Sequence, residues 1–362
     1  MSRVVGSDTD MSVTRVPYPS AQPAYAAAAQ WRDRCLLREG SLFEDRPGSE
    51  LVDARVLVRD FVEQPDQGKD DFLTKLHGQL SESPASAVQL AAELLFVHFL
   101  VARSDAVSGS RKKEVVRRVL SFTEGTSPLP DELASALDAG LVRPGQAFNS
   151  YRWRQFGYLI DFFIAFKELP VDQRREALTD SDAFLAVLAR VEDQGAAIQR
   201  HALEHLLFPE VFPPIVSRDH RAAVISTWGQ AAGPATDPEP VRLARVVQSL
   251  PPNTRWGAAE YVNLYRSPFV WQWSEPSSAW RGSALWAKRL SESIDLEHEE
   301  RQYKVDAARR VMAARTALEG GRADWPQLLG SAFTKDNNLV ACRPTSRSSP
   351  GSGRKLIRLR RL

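Results

Sequence analysis

The amino-acid sequence predicts a mostly α-helical protein with a multi-helix, bundle-like N-terminal domain, a smaller tryptophan-rich helical domain and a disordered basic tail. Residues 84–102 and 151–169 place apolar side chains at helical spacing over their whole lengths. Alternating polar and apolar runs joined by hairpin turns are scarce, which argues against an extensive β-sheet.

The composition is that of an ordinary globular protein. Of 362 residues, 43% are hydrophobic and 25% are charged, which excludes a wholly disordered, collagen-like or disulfide-dense chain. Cys35 and Cys342 are far apart in sequence and make no disulfide framework, which indicates a reducing compartment. No stretch reads as a signal peptide or a membrane span, so we expect a cytoplasmic protein with no membrane contact.

The sequence also predicts the bounds of the N-terminal domain and the ends of its helices. Residues 1–24 read as a flexible polar leader, and residues 25–228 form the helical domain. Ser83 is the expected N-cap of a central helix with Pro84 at its first position, and Pro170 ends a second central helix. Shorter amphipathic helices are predicted over 172–178, 182–191 and 196–208.

The C-terminal part of the chain differs in composition. Glycine, proline and small residues replace the helical periodicity over 229–240, which predicts a linker. Residues 241–340 form the tryptophan-rich, mainly helical domain. Within it a solvent-facing helix is expected over 295–319, because opposite charges recur there at a spacing of four. Residues 341–362 follow as the disordered basic tail.

The most specific local motif is His201-Ala-Leu-Glu204-His205, which fits the H-x-x-E-H pattern of inverted zinc peptidases. On a helix the two histidines lie on one face and could share a metal ion, with Glu204 as general base. The alternative is a structural helix in which His205 packs inside and His201 is exposed. We favour the structural interpretation, because no third ligand is recognisable.

A second motif is Ser217-Arg218-Asp219-His220-Arg221. Asp219 and His220 have no identifiable nucleophile to complete a catalytic triad. Ser217 is therefore interpreted as the N-cap of a helix that extends to Trp228. The basic side chains at the start of that helix could contact a phosphate group or a carboxylate of a partner.

The residues needed for cysteine-based catalysis or for nucleotide hydrolysis are not recognisable in the sequence. Cys35 has no identifiable histidine and asparagine partners, and it is predicted to be a buried, inert thiol. The stretch Gly351-Ser-Gly353-Arg-Lys355 lacks the spacing of a phosphate-binding P-loop. We therefore expect a chain that is not an enzyme and has no cofactor of its own.

Aromatic residues cluster at the start of the tryptophan-rich domain. Five of the nine tryptophans lie within 256–286, with Arg255 and Arg266 interleaved among them. Such a pattern could stack bases and neutralise phosphates. Tryptophan is also the largest core residue, and lysines are few here. Packing is the preferred interpretation, and nucleic-acid contact is the alternative.

Several phrases occur in an order that resembles a known family. They are GQAFNSYRWRQFGYLIDFFIAFKELP, HLLFPEVFPPIVSRDHRAAVI, LYRSPFVWQW, EERQYKVDAARRVMAAR and DWPQLLGSAFTKDNNL. Together they resemble the long N-terminal region of McrB-like AAA ATPases, which are akin to the motor subunit of bacterial restriction systems directed at modified cytosine. The resemblance covers residues 25–340.

The resemblance implies a region that precedes an ATPase or GTPase module in defence against foreign DNA, with a partner nuclease encoded nearby. It transfers no catalytic residue, because the Walker A loop, Walker B acid and arginine finger of the motor have no matching positions here. ATP or GTP with magnesium would bind only to a motor domain in an intact protein. The H-x-x-E-H motif falls in a helix of the family where no zinc chemistry is expected.

The net charge of +2 conceals an uneven distribution. Seven of the 47 basic residues lie in 341–362, which holds no acid, so the rest of the chain has 40 basic against 45 acidic residues. Because the change follows the last family-like phrase, we interpret the tail as the result of truncation or a shifted reading frame. A native basic arm that grips phosphates is the alternative.

We therefore expect a non-catalytic recognition and coupling region that binds DNA or a partner nuclease subunit. A zinc-dependent hydrolase and a stand-alone nucleic-acid-binding protein are the alternatives. The sequence does not fix an oligomeric state without the motor. The side chains assigned to nucleic-acid or partner binding are Arg152, Arg154, Arg218, His220, Arg221, Arg266, Trp271 and Trp273.

Overall fold

The computed structural model confirms a mostly α-helical protein. It describes residues 21–44, 50–65, 68–256, 259–266, 269–274, 340–344 and 357–361. The helices are α1 Gln22–Trp31, α2 Leu51–Leu57, α3 Phe72–Leu80, α4 Ala85–Leu100, α5 Gly109–Leu120, α6 Asp131–Ala136, α7 Gln146–Ser150, α8 Arg152–Lys167, α9 Val171–Ala177, α10 Ser181–Leu188, α11 Ala197–Leu207, α12 Arg218–Thr227, α13 Gly229–Ala232, α14 Glu239–Ser249 and α15 Val270–Trp273. No helix in these ranges is long and apolar enough to cross a membrane.

The described residues divide into two compact units. The larger unit holds those of 21–222 and 231–247, and the smaller holds 223–230 and those from 248 onward. This division differs from the linker predicted over 229–240. The reason is that α14 is amphipathic, and its Ala244 joins the hydrophobic core of the larger unit. The glycine- and proline-rich stretch therefore leads back to the larger unit.

The core of the larger unit forms around α4 and α8, the two central helices that the periodicity predicts. Every residue of α4 from Ala87 to Leu100 is buried, and α8 packs on it with buried phenylalanines. Burial on all sides explains why the α4 sequence is apolar nearly all round. Cys35 is buried, as predicted.

The start of α4 differs from the prediction by one residue. Pro84 is the N-cap and the helix begins at Ala85. The hydroxyl of Ser83, the predicted cap, instead donates to a carboxylate oxygen of Asp60 at 2.6 Å. Ser83 is thus used for a tertiary contact between segments and not for the helix terminus.

Lys112 of α5 holds together the chain that follows α4. Its ammonium group donates to the carbonyl oxygens of Leu137 and Ala139 at 2.9 and 3.0 Å, and also to that of Ala102. The side chain is fully buried, and this burial lowers the pKa of Lys112 to about 8. Three backbone acceptors, one after α4 and two after α6, thus share one cation.

The smaller unit contains two pairs of antiparallel strands. Strands β1 Thr254–Trp256 and β2 Ala259–Tyr261 form one pair, and β3 Val340–Pro344 and β4 Ile357–Arg361 form the other. The strands of the second pair lie near the two ends of residues 341–362, the stretch predicted to be a disordered basic tail. Apolar and basic residues alternate over 357–360, which is the period-two pattern of a strand.

Some predicted features fall outside the described residues. These are most of the leader, the helix predicted over 295–319, and the Gly351–Lys355 stretch.

Replacing Lys112 with methionine is expected to lower the free energy of unfolding by about 2–3 kcal/mol, because three buried carbonyl groups lose their donor. Urea unfolding followed by circular dichroism measures the change. Arg117→Met is the matched control, since Arg117 is an exposed residue of the same helix. Equal stability of the two variants would contradict the role given to Lys112.

Candidate functional site

The H-x-x-E-H motif is buried in the larger unit. Helix α11 carries His201, Glu204 and His205, whose exposed fractions are 6%, 0% and 1%. The expectation that His201 is exposed was wrong. Its ring donates from Nδ1 to the carbonyl oxygen of Val216 at 2.8 Å, a contact that exists only because the chain turns back after α11.

Both ring nitrogens of His205 already have partners. The carbonyl oxygen of Phe212, 2.6 Å from Nδ1, can only accept, so Nδ1 carries the proton. Nε2 is then an acceptor, and it receives the hydroxyl proton of Tyr25 at 2.7 Å. Burial lowers the pKa of His205 to about 4 and that of His201 to about 3, so both rings are neutral.

Glu204 is paired with a buried arginine. Its Oε2 lies 2.7 Å from Nη2 of Arg221, and both side chains have no exposed surface. Arg221 also donates from Nε to the carbonyl oxygen of Ile215 at 2.5 Å and from Nη1 to Glu239 at 3.2 Å. Burial raises the pKa of Glu204, and the charge of Arg221 opposes that shift.

The groups that a zinc-dependent hydrolase would need to expose are buried and already hydrogen-bonded in this structure. A zinc ligand needs a free lone pair and a general base needs access to water. The Nε2 lone pair of His205 is used by Tyr25, and Glu204 is sealed beneath Arg221. In the part of the chain that the structure describes, no group of three metal-ligating side chains is assembled.

The motif of residues 217–221 divides between the surface and the interior. Ser217 accepts a hydrogen bond from the backbone N–H of His220 at 3.3 Å, as expected of an N-cap. Arg218 is exposed and pairs with Asp193, whereas Arg221 is fully buried. His220 is half-buried. Arg221 thus holds α12 in place, and Arg218 remains available at the surface.

A second surface group lies at the start of α8. The guanidinium of Arg154 stands over the rings of Trp153 and Tyr151, 4.9 and 5.1 Å from their centroids. The two rings keep 48% and 47% of their surface exposed. Neither ring was singled out from the sequence, although aromatic and basic residues alternate in Tyr151-Arg-Trp-Arg154, which is the available signal.

The turn at 193–195 brings the two groups together. Its backbone closes with a 2.6 Å hydrogen bond from Ala196 to Asp193, and Gly195 has a φ of +88°. A Cβ at Gly195 would lie 2.9 Å from Nη1 of Arg154, while Arg218 pairs with Asp193. We call Tyr151, Trp153, Arg154, Arg218 and this turn the arginine–aromatic surface.

Arg152, two residues before Arg154, points into the core. Its guanidinium stands over the rings of Phe99 and Phe72, at 5.1 and 5.6 Å from their centroids, and donates to Asn149 at 3.0 Å. Burial lowers the pKa of Arg152. It packs against α4 and is not part of the arginine–aromatic surface.

The candidates in the smaller unit are used for packing where their side chains are described. Trp273 is 6% exposed, its indole N–H donates to the carbonyl oxygen of Leu264 at 2.7 Å, and Tyr265 meets its ring edge-on. Arg266 is half-buried beside the turn that its backbone N–H closes on Asn263. The side chain of Trp271 lies outside the described part.

No family model matches this chain, and neither a curated protein nor a solved structure matches it.

We expect Arg221→Met to lower the free energy of unfolding by about 3–5 kcal/mol, because the buried carboxylate of Glu204 then keeps only the more distant guanidinium of Arg200, whose Nε is 3.9 Å away. Adding Glu204→Gln to that variant removes the stranded charge and should restore a large part of the loss. Arg218→Met, which breaks only a surface pair, should cost below about 1 kcal/mol. Denaturant unfolding compares the variants, and a loss that Glu204→Gln leaves unchanged would contradict the pairing.

Acid should destabilise the larger unit through its buried histidines. Between pH 6.5 and pH 4, His205 is protonated in the unfolded chain but not in the folded one. The free energy of unfolding therefore has its full value above pH 6.5 and decreases as the pH falls through this range. The expected loss between pH 7 and pH 5 is about 2 kcal/mol for this residue.

Urea unfolding of the His205→Gln variant at both pH values tests this expectation. The variant starts less stable at pH 7, but its further loss at pH 5 should be smaller than that of the original chain by the same 2 kcal/mol or so. His77→Gln, at an exposed position, is the control. An unchanged pH dependence in His205→Gln would contradict the burial argument.

Proposed function

We propose that this chain is the non-catalytic recognition region of a McrB-like defence ATPase in the cytoplasm, and that it binds DNA through the arginine–aromatic surface. One observation carries the proposal. Arg154 of α8 and Arg218 of α12 are 64 residues apart in sequence, yet both contact the turn at 193–195, beside two exposed aromatic rings. The fold thus assembles at one place the residue types that contact nucleic acid.

The position of the arginines in their helices supports anion binding. Helix α8 has Arg152 and Arg154 in its first turn and no acidic residue there. This is the opposite of what the helix dipole favours, because the amino terminus already carries partial positive charge. Such an arrangement costs helix stability but strengthens the local positive potential at the start of the helix.

The charge balance of the chain supports a local contact. Residues 1–340 have more acidic than basic side chains, so the body as a whole does not attract a polyanion. Binding would therefore depend on a few guanidinium groups with defined geometry. Arginine suits that role because its planar fork can donate two parallel hydrogen bonds to a phosphate.

The buried pairing of Arg221 with Glu204 supports a positioning role for the interior. It fixes the start of α12 on α11 and so determines where Arg218 stands. In the intact protein, we propose that a motor domain supplies ATP or GTP hydrolysis with magnesium, and that a partner nuclease acts on the bound DNA. The recognition region itself would contribute no catalytic group.

Alanine at Arg154 and Arg218 should weaken binding of fluorescein-labelled DNA, measured by fluorescence anisotropy between 50 and 200 mM salt. Each phosphate contact removed from a duplex should reduce the slope of log K against log salt by about 0.9. Arg55→Ala is the matched control, because exposed Arg55 pairs with Glu168 just beyond the opposite end of α8. It should leave both affinity and slope unchanged.

A second control separates the surface from the basic tail. Glutamine at Arg358, Arg360 and Arg361 in the full chain removes three tail charges and changes no residue of the larger unit. The proposal is contradicted if these substitutions abolish binding while Arg154→Ala and Arg218→Ala have no effect. In that case the tail alone would account for DNA affinity.

A further inference from the structure

Two exposed aromatic rings within one short segment are unusual in this protein. In the described part of the chain, the exposed large hydrophobic side chains are Val52, Tyr151, Trp153 and Val171. The valines are single and far apart in sequence, as is common on protein surfaces. Tyr151 and Trp153 are two residues apart and share one guanidinium.

The rings are held in place before any ligand arrives. Arg154 stands over both, within the range of a cation–π interaction. Tyrosine and tryptophan each have only two side-chain torsions, so ordering them costs little conformational entropy. Gly195 leaves room for the guanidinium, because a Cβ there would lie 2.9 Å from Nη1. A platform ordered in this way binds without a further ordering cost.

The combination of rings and cations selects among ligands. Arg218 is already paired with Asp193, so among the described residues the guanidinium that lacks an anion beside the rings is that of Arg154. An acidic peptide would satisfy Arg154 but would leave the rings uncovered. An apolar peptide would cover the rings but would leave Arg154 without an anion. A nucleic-acid strand carries an aromatic face and a phosphate in each repeat, so it can satisfy both at once.

The exposed rings also distinguish single strands from duplexes. In a duplex the faces of the bases are stacked on one another and only their edges reach the grooves. Stacking on a protein ring inside a duplex would first require neighbouring base pairs to be unstacked, whereas an unpaired base offers its face without that cost. Resting on the proposed function, we propose that Tyr151 and Trp153 stack unpaired bases, so that the arginine–aromatic surface prefers single-stranded nucleic acid to duplex.

The test compares a labelled oligothymidylate strand with a mixed-sequence duplex of equal length, using anisotropy with the full chain. The original protein should bind the single strand more tightly. Trp153→Ala should weaken single-strand binding by between about 5-fold and 150-fold, the range for loss of one base stack, and should weaken duplex binding by a clearly smaller factor. Trp153→Phe should retain part of the affinity, because it keeps a smaller ring.

Matched controls separate stacking from unfolding and from loss of apolar surface. Val171→Ala removes an equally exposed apolar side chain elsewhere, and it should change neither affinity. Because Trp153 is half exposed, its alanine variant should keep the circular dichroism spectrum and the thermal midpoint of the original chain. Tyr151→Ala should repeat the selective loss on the single strand.

Each other outcome overturns the inference. Unchanged single-strand affinity in Trp153→Ala refutes stacking, and equal weakening on both DNAs refutes the preference. If polyglutamate displaces the strand while Trp153→Ala has no effect, the surface is a site for acidic peptides. Loss of duplex binding in Arg154→Ala and Arg218→Ala, with Trp153→Ala silent, rejects the inference but keeps the proposed function. Binding of neither DNA rejects both.

Discussion

The contact between Arg221 and Glu204 is the constraint on which the rest of the larger unit depends. The two side chains lie 2.7 Å apart with no exposed surface, and neither can be left without its partner except at a large cost in desolvation energy. The pair fixes α12 on α11, and the remaining donors of Arg221 tie the same point to Ile215 and Glu239. The turn at 193–195 then receives Arg218 at a defined place. A buried pair of this kind specifies geometry even where it adds little net stability.

Arg218 and Arg221, one helical turn apart, show how the location of a carboxylate decides the role of an arginine. Asp193 is half-buried and its partner Arg218 stays exposed, whereas Glu204 is fully buried and Arg221 is buried with it. The same contrast separates Arg152 from Arg154. Phenylalanine rings of the core cover Arg152, and half-exposed rings accompany Arg154. In both cases the interior member positions a helix and the outer member is accessible to a ligand.

Much of the helical architecture was predictable because its signals are local. The periodicity of α4 and α8 and the cap at Ser217 depend on neighbouring residues, and all three were predicted. The burial of His201 was not, because it depends on a carbonyl group 15 residues later in the chain. For the same reason the exposure of Tyr151 and Trp153 was not predicted from the sequence. The denser tryptophan block instead suggested Trp273 as a binding residue, but Trp273 is packed. Exposure depends on which distant segments cover a side chain, and spacing alone does not encode it.

The hydrogen bond between Tyr25 and His205 has a consequence for the synthesis of the protein. The two residues are 180 positions apart, yet this contact joins the first described helix to α11. At a translation rate of roughly 5–20 residues per second, α1 leaves the ribosome some ten to forty seconds before that partner exists. Its buried face, which includes Trp31, must wait through most of the making of the larger unit. The nascent chain therefore presents an apolar helix that chaperones can bind, and the contacts of α1 are completed only when α11, one of the later helices of the unit, has been made.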